Sequence, residues 1–322
     1  VITEGYVVRH YQGRSGGRGP ALIDIAQDHL LFRLADRGLF DLGISLKGGT
    51  AIRKLWAGSA GGFSTDLDFA GLDDAAAERV LEAIDGAQVG PFGFTTRPID
   101  GTLRVAVLIT SPFGSPEVPA RLDLGRRPLW LAAQPAQPLA LPIHQRYDFT
   151  MPLVPAARVE EIVAEKLARF RRASLTRDLY DLAWFSTRPF DEVLVRRLTV
   201  LKVWCDVVDD GLGSRSFDPR DIVRPRREAE LQPEAIGYLT TPVDVSAWAE
   251  AVRRRFGFLV DLDDFEQRVA QCNRADEWDV RQAIAALGAD PLAQSDAERQ
   301  VLQAGWSAGH VATPTGGGLR WR

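Results

Sequence analysis

Apolar positions recur with two different periods along this chain, and beyond Pro155 only the helical period remains. In residues 21–37, Leu22, Ile25, Ala26, His29 and Leu30 fall at helical spacing and Gly38 follows as a stop signal, which predicts an amphipathic helix. Residues 42–47 predict a short strand running into a Gly48-Gly49 turn, and residues 50–55 a short helix after it. Residues 57–62 predict a glycine-rich, mobile loop, and 63–69 a second strand. A helix follows over 75–84, with Asp73 or Asp74 as its cap. Residues 92–98 and 102–110 alternate with period two around Asp100-Gly101, a hairpin turn signal. Residues 121–125 predict one more strand, with Leu122 and Leu124 towards the core and Asp123 pointing the opposite way.

From residue 126 to 142 the chain is rich in Pro, Ala and Gln, which predicts a long connection at a domain boundary. Helices are then expected over 159–172, 176–186, 191–208, 246–256, 262–272, 277–287 and 296–304. The polar stretch 211–233 reads as a loop or an insert, the tail after His310 as loose, and no internal repeat is visible. The expected architecture is an α/β (α+β) lobe over residues 1–142, including an N-terminal helix, and a mainly helical lobe over 143–322.

Composition narrows the class. With 322 residues, 45% hydrophobic and 25% charged, the chain has room for one large domain or two ordinary ones. A net charge of −4 argues against a general polyanion binder. No apolar run is long enough to cross a bilayer, and residues 1–20 lack the apolar core of a signal peptide, so a cytoplasmic place is expected. Cys205 and Cys272 read as buried thiols in a reducing cytosol, and no Cys/His cluster suggests zinc. Lys47, Lys54, Lys166 and Lys202 are the only lysines among 39 basic residues. Where arginine is the default cation, a lysine at a site stands out.

Asp66 and Asp68 sit two apart on a strand, so they share a face, while Leu67 and Phe69 take the other. Paired carboxylates on an anchored strand suit a hard divalent cation, and Asp123 is a third carboxylate on a later strand. Gly48 and Gly49 allow close backbone approach, and a helix start offers N–H groups to an anion, with the Thr50 hydroxyl beside them. Arg53 and Lys54 either help there or are solvated. Each feature has a plainer reading. The acids suit an exposed edge strand and the glycines a tight turn. Lys166, beside Ile162, Val163 and Phe170, suits a lysine whose stem covers core surface. Asp178 suits a favourable first-turn acid behind a Thr176 cap.

Gly48-Gly49-Thr50 followed by Phe63-Ser64-Thr65-Asp66-Leu67-Asp68-Phe69 resembles the signature of AbiEii/MenT-type nucleotidyltransferase toxins, of the DNA-polymerase-β-like nucleotidyltransferase superfamily. Glu165-Lys166-Leu167-Ala168-Arg169 and Arg177-Asp178-Leu179-Tyr180-Asp181-Leu182 resemble motifs of the family's second half. The resemblance implies a nucleotidyltransferase lobe with a mixed sheet and the active site between two lobes. It implies catalytic roles for Asp66, Asp68, Lys166 and Asp178, with Asp181 structural. It further implies Mg²⁺ on Asp66, Asp68 and Asp123, and an NTP held by Gly48, Gly49, Thr50, Ser64 and Lys166. The implied acceptor is a tRNA 3′ end or other RNA, and the implied partner an antitoxin encoded nearby, with no membrane involved. The residue equivalent to Ser64 is phosphorylated in some members under an antitoxin's influence, whereas Thr65 on a regular strand would face away. Arg169, Arg171, Arg172 and Arg177 are either a solvated face or a guide for a phosphate backbone. Two rivals stand beside this reading: transfer to a small-molecule or protein hydroxyl, and a catalytically silent nucleotide-binding partner protein.

Overall fold

A computed structural model describes residues 1–12, 17–99, 104–114, 118–173, 175–213, 216–223 and 243–289. The expected Asp100-Gly101 turn, the start of the strand at 102–103, part of the polar stretch, the helix over 296–304 and the tail after His310 lie outside these residues.

The chain opens with helices α1 (Glu4–Tyr11) and α2 (Arg18–Asp36) and enters the sheet through β1 (Ser45–Lys47). A short helix, α3 (Gly48–Ala51), widens into a π-helical turn over Ile52–Ala57. Then follow β2 (Asp66–Ala70), α4 (Asp74–Ile84), β3 (Gln88–Val89), β4 (Phe92–Pro98), β5 (Arg104–Thr110), β6 (Val118–Leu124), β7 (Gln134–Ala136) and β8 (Val154–Ala156). Beyond β8 the described residues are mainly helical: α5 (Val159–Ala173), α6 (Thr176–Phe185), α7 (Glu192–Val208), α8 (Arg220–Val223), α9 (Val245–Arg255), α10 (Asp264–Val269) and α11 (Glu277–Ala289). Among the described residues no helix is long and apolar enough to cross a membrane.

The strands form one mixed sheet in the order β3-β4-β5-β6-β2-β1-β8-β7. β2 lies at its centre, antiparallel to β1 and parallel to β6. The expected lobe of sheet and helix is present, and the sheet runs on past residue 142, because β8 pairs in parallel with β1. β7 and β8 escape sequence reading because each is three residues long with a proline in the middle. β7 is the edge strand, where proline's missing ladder donor costs little, and β8 next to it pairs with β1 only at Ala156.

Leu67, Phe69, Leu122 and Leu124 join one continuous apolar core with Leu30, Leu31 and Leu34 of α2. α4 starts where expected: the Ala76 N–H donates to Asp73 Oδ1 at 2.7 Å. α2 departs from the amphipathic expectation by being buried on every side from Pro20 to Leu31. Its polar residues are therefore paired inside the protein. Asp24 accepts from Arg53 Nη2 at 3.1 Å, meets Lys54 Nζ at 2.8 Å and contacts His10 Nε2 at 2.7 Å. Burial alone raises the Asp24 pKa, but Arg53, Lys54 and His10 overcome it and hold the carboxyl well below the usual range. Arg53 and Lys54 are thus paired with Asp24 rather than solvated, 1% and 2% exposed, and neither lines the cleft beside Gly48 and Gly49. Arg53 also donates to the carbonyls of Gly58 and Gly61, and the Tyr180 hydroxyl donates to that of Ala60 at 2.5 Å, so the glycine-rich segment 57–62 is tied down.

His10 explains α1, which the apolar pattern does not signal: only Val7 and His10 of that helix are buried. Tyr147 closes the network from another side, donating to Asp28 Oδ2 at 2.6 Å. We expect Tyr147→Phe to lose about 2 kcal/mol of stability, since a hydrogen bond to a charged partner disappears. Urea unfolding at neutral pH measures this, and an unchanged midpoint would show that the hydroxyl contributes nothing.

Candidate active site

A cleft of about 290 Å³ lies where the central strands meet α5 and α6. Its floor follows from strand parity. β2 runs Asp66-Leu67-Asp68-Phe69, with the leucine and phenylalanine buried and both aspartates partly exposed on the opposite face. In the parallel register of β2 and β6, Asp66 faces Arg121 and Asp68 faces Asp123. In the antiparallel register of β1 and β2, Lys47 faces Asp68. Asp66, Asp68 and Asp123 therefore line one cleft, as the alternation predicted.

Their charges are unequally balanced. Arg121 grips Asp66 with two bonds, Nε to Oδ1 at 2.9 Å and Nη2 to Oδ2 at 3.1 Å, and Arg177 Nη1 stands 3.8 Å from Asp66. Arg104 Nε donates to Asp123 at 3.3 Å. Among the described residues Asp68 has no such grip. Burial first, then Asp66 and Asp123, raise its carboxyl to about 6, against partial opposition from Lys47 and Arg169.

Gly48 belongs to this arrangement through its backbone. Its φ is +72°, and a Cβ there would run into the Asp68 carboxylate. Gly49 approaches Ser64 in the same way, with a Cβ position 3.3 Å from Ser64 Oγ. Both glycines line the cleft. Thr50 does not: it is fully buried and its hydroxyl donates to the Asp66 carbonyl. Its role is to anchor the start of β2, not to meet a phosphate. Gln27 anchors the same entry, donating to the Ser64 carbonyl at 3.0 Å. Gly48→Ala should cost about 1–2 kcal/mol through the left-handed backbone alone. By displacing Asp68 it should also lower nucleotide transfer about 100-fold. Thermal melting and labelled-nucleotide incorporation check both, and wild-type activity would show that the close approach is dispensable.

β2 begins at Asp66, so Ser64 and Thr65 lie before the regular strand. Both line the cleft. Thr65 therefore does not face away, as strand alternation extended backwards would have it. Its hydroxyl donates to Asp66 Oδ1 at 3.2 Å, while Ser64 Oγ donates to the Asp66 carbonyl at 3.2 Å.

α5 and α6 supply the opposite wall. Lys166 is 4% exposed and lines the cleft, with Nζ 3.1 Å from Asp178 Oδ1 and 2.5 Å from Asp181 Oδ2. Arg169 makes two bonds to the same Asp178 carboxylate. Asp178 is wholly buried and absent from the cleft lining. Burial raises its pKa, but Lys166 and Arg169 prevail and hold it at about 2. Asp181, expected to be structural, is the aspartate of α6 that reaches the cleft, and burial raises its pKa in spite of Lys166. The two acids thus exchange the places that the sequence motif suggests. Asp178 holds Lys166 and Arg169 from behind, and Asp181 meets Lys166 where it lines the cleft.

Lys47, Arg104, Arg121 and Glu165 also line the cleft, with Gly62 and Phe63, and these four were not given site roles from the sequence. Signals for two of them existed. Arg121 shares strand parity with Asp123, and Lys47 is one of the few lysines. Both cysteines are free, and burial pushes the Cys205 thiol up to about 12, an inert group.

The donor set fits a hard divalent cation. Three carboxylates share a cleft, and Asp68 is destabilised as an anion by its acidic neighbours, a repulsion that a cation relieves. Among the described residues no three His, Cys, Asp or Glu side chains converge as a ready-made metal cage. Arg121 and Arg104 engage two of the three carboxylates and supply positive charge there.

Comparison with known proteins gives this geometry a family. No curated protein matches the chain. Among solved structures, MenT4, a nucleotidyltransferase toxin from Mycobacterium tuberculosis, is 43% identical over 89% of this chain and 100% of its own, with a TM-score of 0.83. A protein from Helicobacter pylori described as a nucleotidyltransferase is 18% identical over 74% of this chain and 93% of its own, with a TM-score of 0.42. JHP933 from the same organism is 16% identical over 88% and 100%, with a TM-score of 0.41, and neither of these two bears on the chemistry. The profile "Nucleotidyl transferase AbiEii toxin, Type IV TA system" matches residues 29–286, a span that holds the whole cleft, and the chain belongs to this family of toxin–antitoxin nucleotidyltransferases.

Proposed function

We propose that this enzyme transfers a nucleotide from an NTP to the 3′-terminal hydroxyl of an RNA, with tRNA as the acceptor, in a Mg²⁺-dependent reaction that blocks translation. The observation that carries the reading is the pairing, in one cleft, of the Asp66–Asp68–Asp123 floor with the Lys166–Arg169 wall. The acceptor oxygen attacks the α-phosphorus, the bond to the β-phosphate oxygen breaks and pyrophosphate leaves. Asp66, Asp68 and Asp123 would hold Mg²⁺, which when bound lowers the pKa of an attacking hydroxyl and screens phosphate charge. Lys166, Arg169 and Arg177 offer N–H donors to phosphate oxygens. The Gly48-Gly49 turn and the Ser64 and Thr65 hydroxyls border the same space and suit the rest of the triphosphate. Asp178 acts through Lys166 and Arg169 and is a positioning residue.

Arginines favour RNA over an uncharged acceptor. Arg104, Arg121 and Arg177 stand at the cleft with side chains 57%, 49% and 41% exposed, where a phosphate backbone meets them. An antitoxin from a neighbouring gene would oppose the enzyme, and a cytoplasmic place follows from such a substrate. Purified protein with Mg²⁺, total tRNA and each labelled NTP should lengthen a subset of tRNAs by one or a few nucleotides. Label passing instead to a small molecule or to protein would establish the rival transferase. Absence of any transfer, with NTP binding retained, would establish a silent nucleotide-binding protein.

A further inference from the structure

The cleft continues beyond the carboxylates. A second chamber, of about 280 Å³, adjoins it between α5, α7 and the connection after β6. The two share Lys47, Gly48, Glu165, Lys166 and Arg169. A nucleotide whose phosphates lie against Gly48 and Lys166 thus has its next chemical group at the mouth of this chamber.

The chamber is built in advance. Its aromatic wall is Trp130, whose backbone N–H, with that of Leu131, donates to the Glu161 carboxylate at 3.0 Å each. The Lys202 ammonium stands 4.1 Å from the Trp130 ring centroid and donates to Glu161 at 3.0 Å and to Glu165 at 3.4 Å. Glu165 in turn accepts from Lys47 at 3.4 Å, so one chain of charges joins both chambers. Leu129, Ile162 and Ala168 add apolar lining. Its polar lining holds, besides Lys202, Glu165 and Arg127, the side chain of Arg172, which donates through Nε to Asp206 Oδ2 at 3.1 Å, with side chains 32% and 18% exposed. A carboxylate has a second oxygen, and a guanidinium has N–H groups beyond the one used in this pair. Burial pushes the Asp206 carboxyl up in spite of Arg172, so a ligand donor arriving there adds stabilisation that the protein does not supply.

We infer that this chamber is a nucleoside subsite, in which a base packs along the Trp130 wall and presents its edge to Asp206 and Arg172. A nucleobase is a ring with two apolar faces and an edge of mixed donors and acceptors. The chamber offers an aromatic and aliphatic wall together with one acceptor and one donor side by side. The inference rests on the nucleotidyl-transfer reading and extends it to base selection. The nucleoside is that of the incoming NTP or that of the acceptor's 3′ end, and the chemistry is common to both.

Titration calorimetry with the full chain tests it. Wild type, Asp206→Asn and Arg172→Gln are each titrated with four non-hydrolysable NTP analogues, with inorganic tripolyphosphate, and with short RNAs differing only in the 3′-terminal base. Thermal melting confirms that each variant is folded. We expect base preference in the wild type, and in the variants a change of about tenfold or more in the ratio of best to poorest base. Tripolyphosphate should bind all three proteins alike. A change in the NTP series without RNA assigns the chamber to the NTP, and a change in the RNA series alone assigns it to the acceptor. Unchanged ratios in both series, or no base preference in the wild type, would overturn the inference. So would a loss of tripolyphosphate binding equal to the loss of nucleotide binding. Nucleotide transfer by the wild type is scored separately. Transfer with unchanged base ratios removes this inference alone, whereas its absence removes the reading beneath it.

Discussion

Asp68→Asn should abolish nucleotide transfer and, in the same molecule, make the metal-free protein more stable at pH 8. The two effects share a cause. Asp68 faces Asp123 across the parallel register and shares its strand face with Asp66. Burial and these two carboxylates raise its pKa from 3.8 to about 6. A carboxyl whose folded pKa lies above its unfolded value binds its proton more tightly in the folded state. Below pH 3.8 it is protonated in both states and costs nothing. As pH rises towards 6 the cost grows, and above 6 it is complete. That rise converts to about 2–3 kcal/mol. Asparagine has nearly the same shape without the charge, so the variant recovers that amount at pH 8 and almost none near pH 4. Transfer should fall about 10³-fold or more, because the carboxylate that would meet a divalent cation is gone. Urea unfolding in chelator at both pH values, beside labelled-nucleotide incorporation at pH 8, decides the matter. A variant that is inactive yet no more stable than wild type at pH 8 would remove the repulsion argument. A fully active variant would remove the metal role.

Asp178→Ala should have the opposite balance. Here an aspartate is wholly buried and holds two cations, Lys166 at 3.1 Å and Arg169 through two bonds. Removing one member of a buried ion cluster strands the others, at a cost of about 3–5 kcal/mol. The pKa of about 2 gives the pH dependence its sign. The depressed carboxyl stabilises the fold above pH 4, and that contribution fades as pH falls through 2. Wild type and variant should therefore differ most near neutrality and converge in acid. Transfer should also fall, because Lys166 loses the partner that aims it into the cleft. Asp181→Asn is the informative contrast. Its pKa is raised, so its charge is unfavourable in the fold, and the substitution should leave stability nearly unchanged or slightly higher. Yet Asp181 lines the cleft and meets Lys166, so transfer should respond. If Asp178→Ala is as stable as wild type and Asp181→Asn is not, the assignment of buried anchor and surface partner is reversed.

Much of the site could be read before any fold was known, and the reasons lie in particular residues. Asp66 and Asp68 share a face because a strand repeats every two residues, and the burial of Leu67 and Phe69 bears this out. Lys166 borders the apolar stripe of α5 because its neighbours at helical spacing are apolar, and it is buried as that stripe implies. The same reasoning misjudged Thr65, because the strand expected from residue 63 begins only at Asp66 and leaves Thr65 before it. It also misjudged Arg53 and Lys54. They were expected either to help at the phosphates or to be solvated, whereas they are buried against Asp24 and Asp28 of α2.

What the sequence by itself determined is local: periodicity, the glycine turn, the cap at Asp73, and which side chains along each element share a face. These follow from backbone sterics within a few residues and need no partner. Which face meets which was decided only by the tertiary structure. Asp68 and Asp123 are 55 residues apart in the chain yet side by side in the sheet, through a β2–β6 pairing that no local rule specifies. Asp178 and Asp181 lie three apart on one helical face, and both reach Lys166, but one is sealed and the other open. Helical spacing cannot separate them, because burial depends on what packs against that face. The second chamber arises in the same way, from Gly48, Trp130, Arg172 and Asp206, four segments brought together by packing. Charge, exposure and pKa are properties of such neighbourhoods, and a neighbourhood exists only once distant segments have closed upon one another.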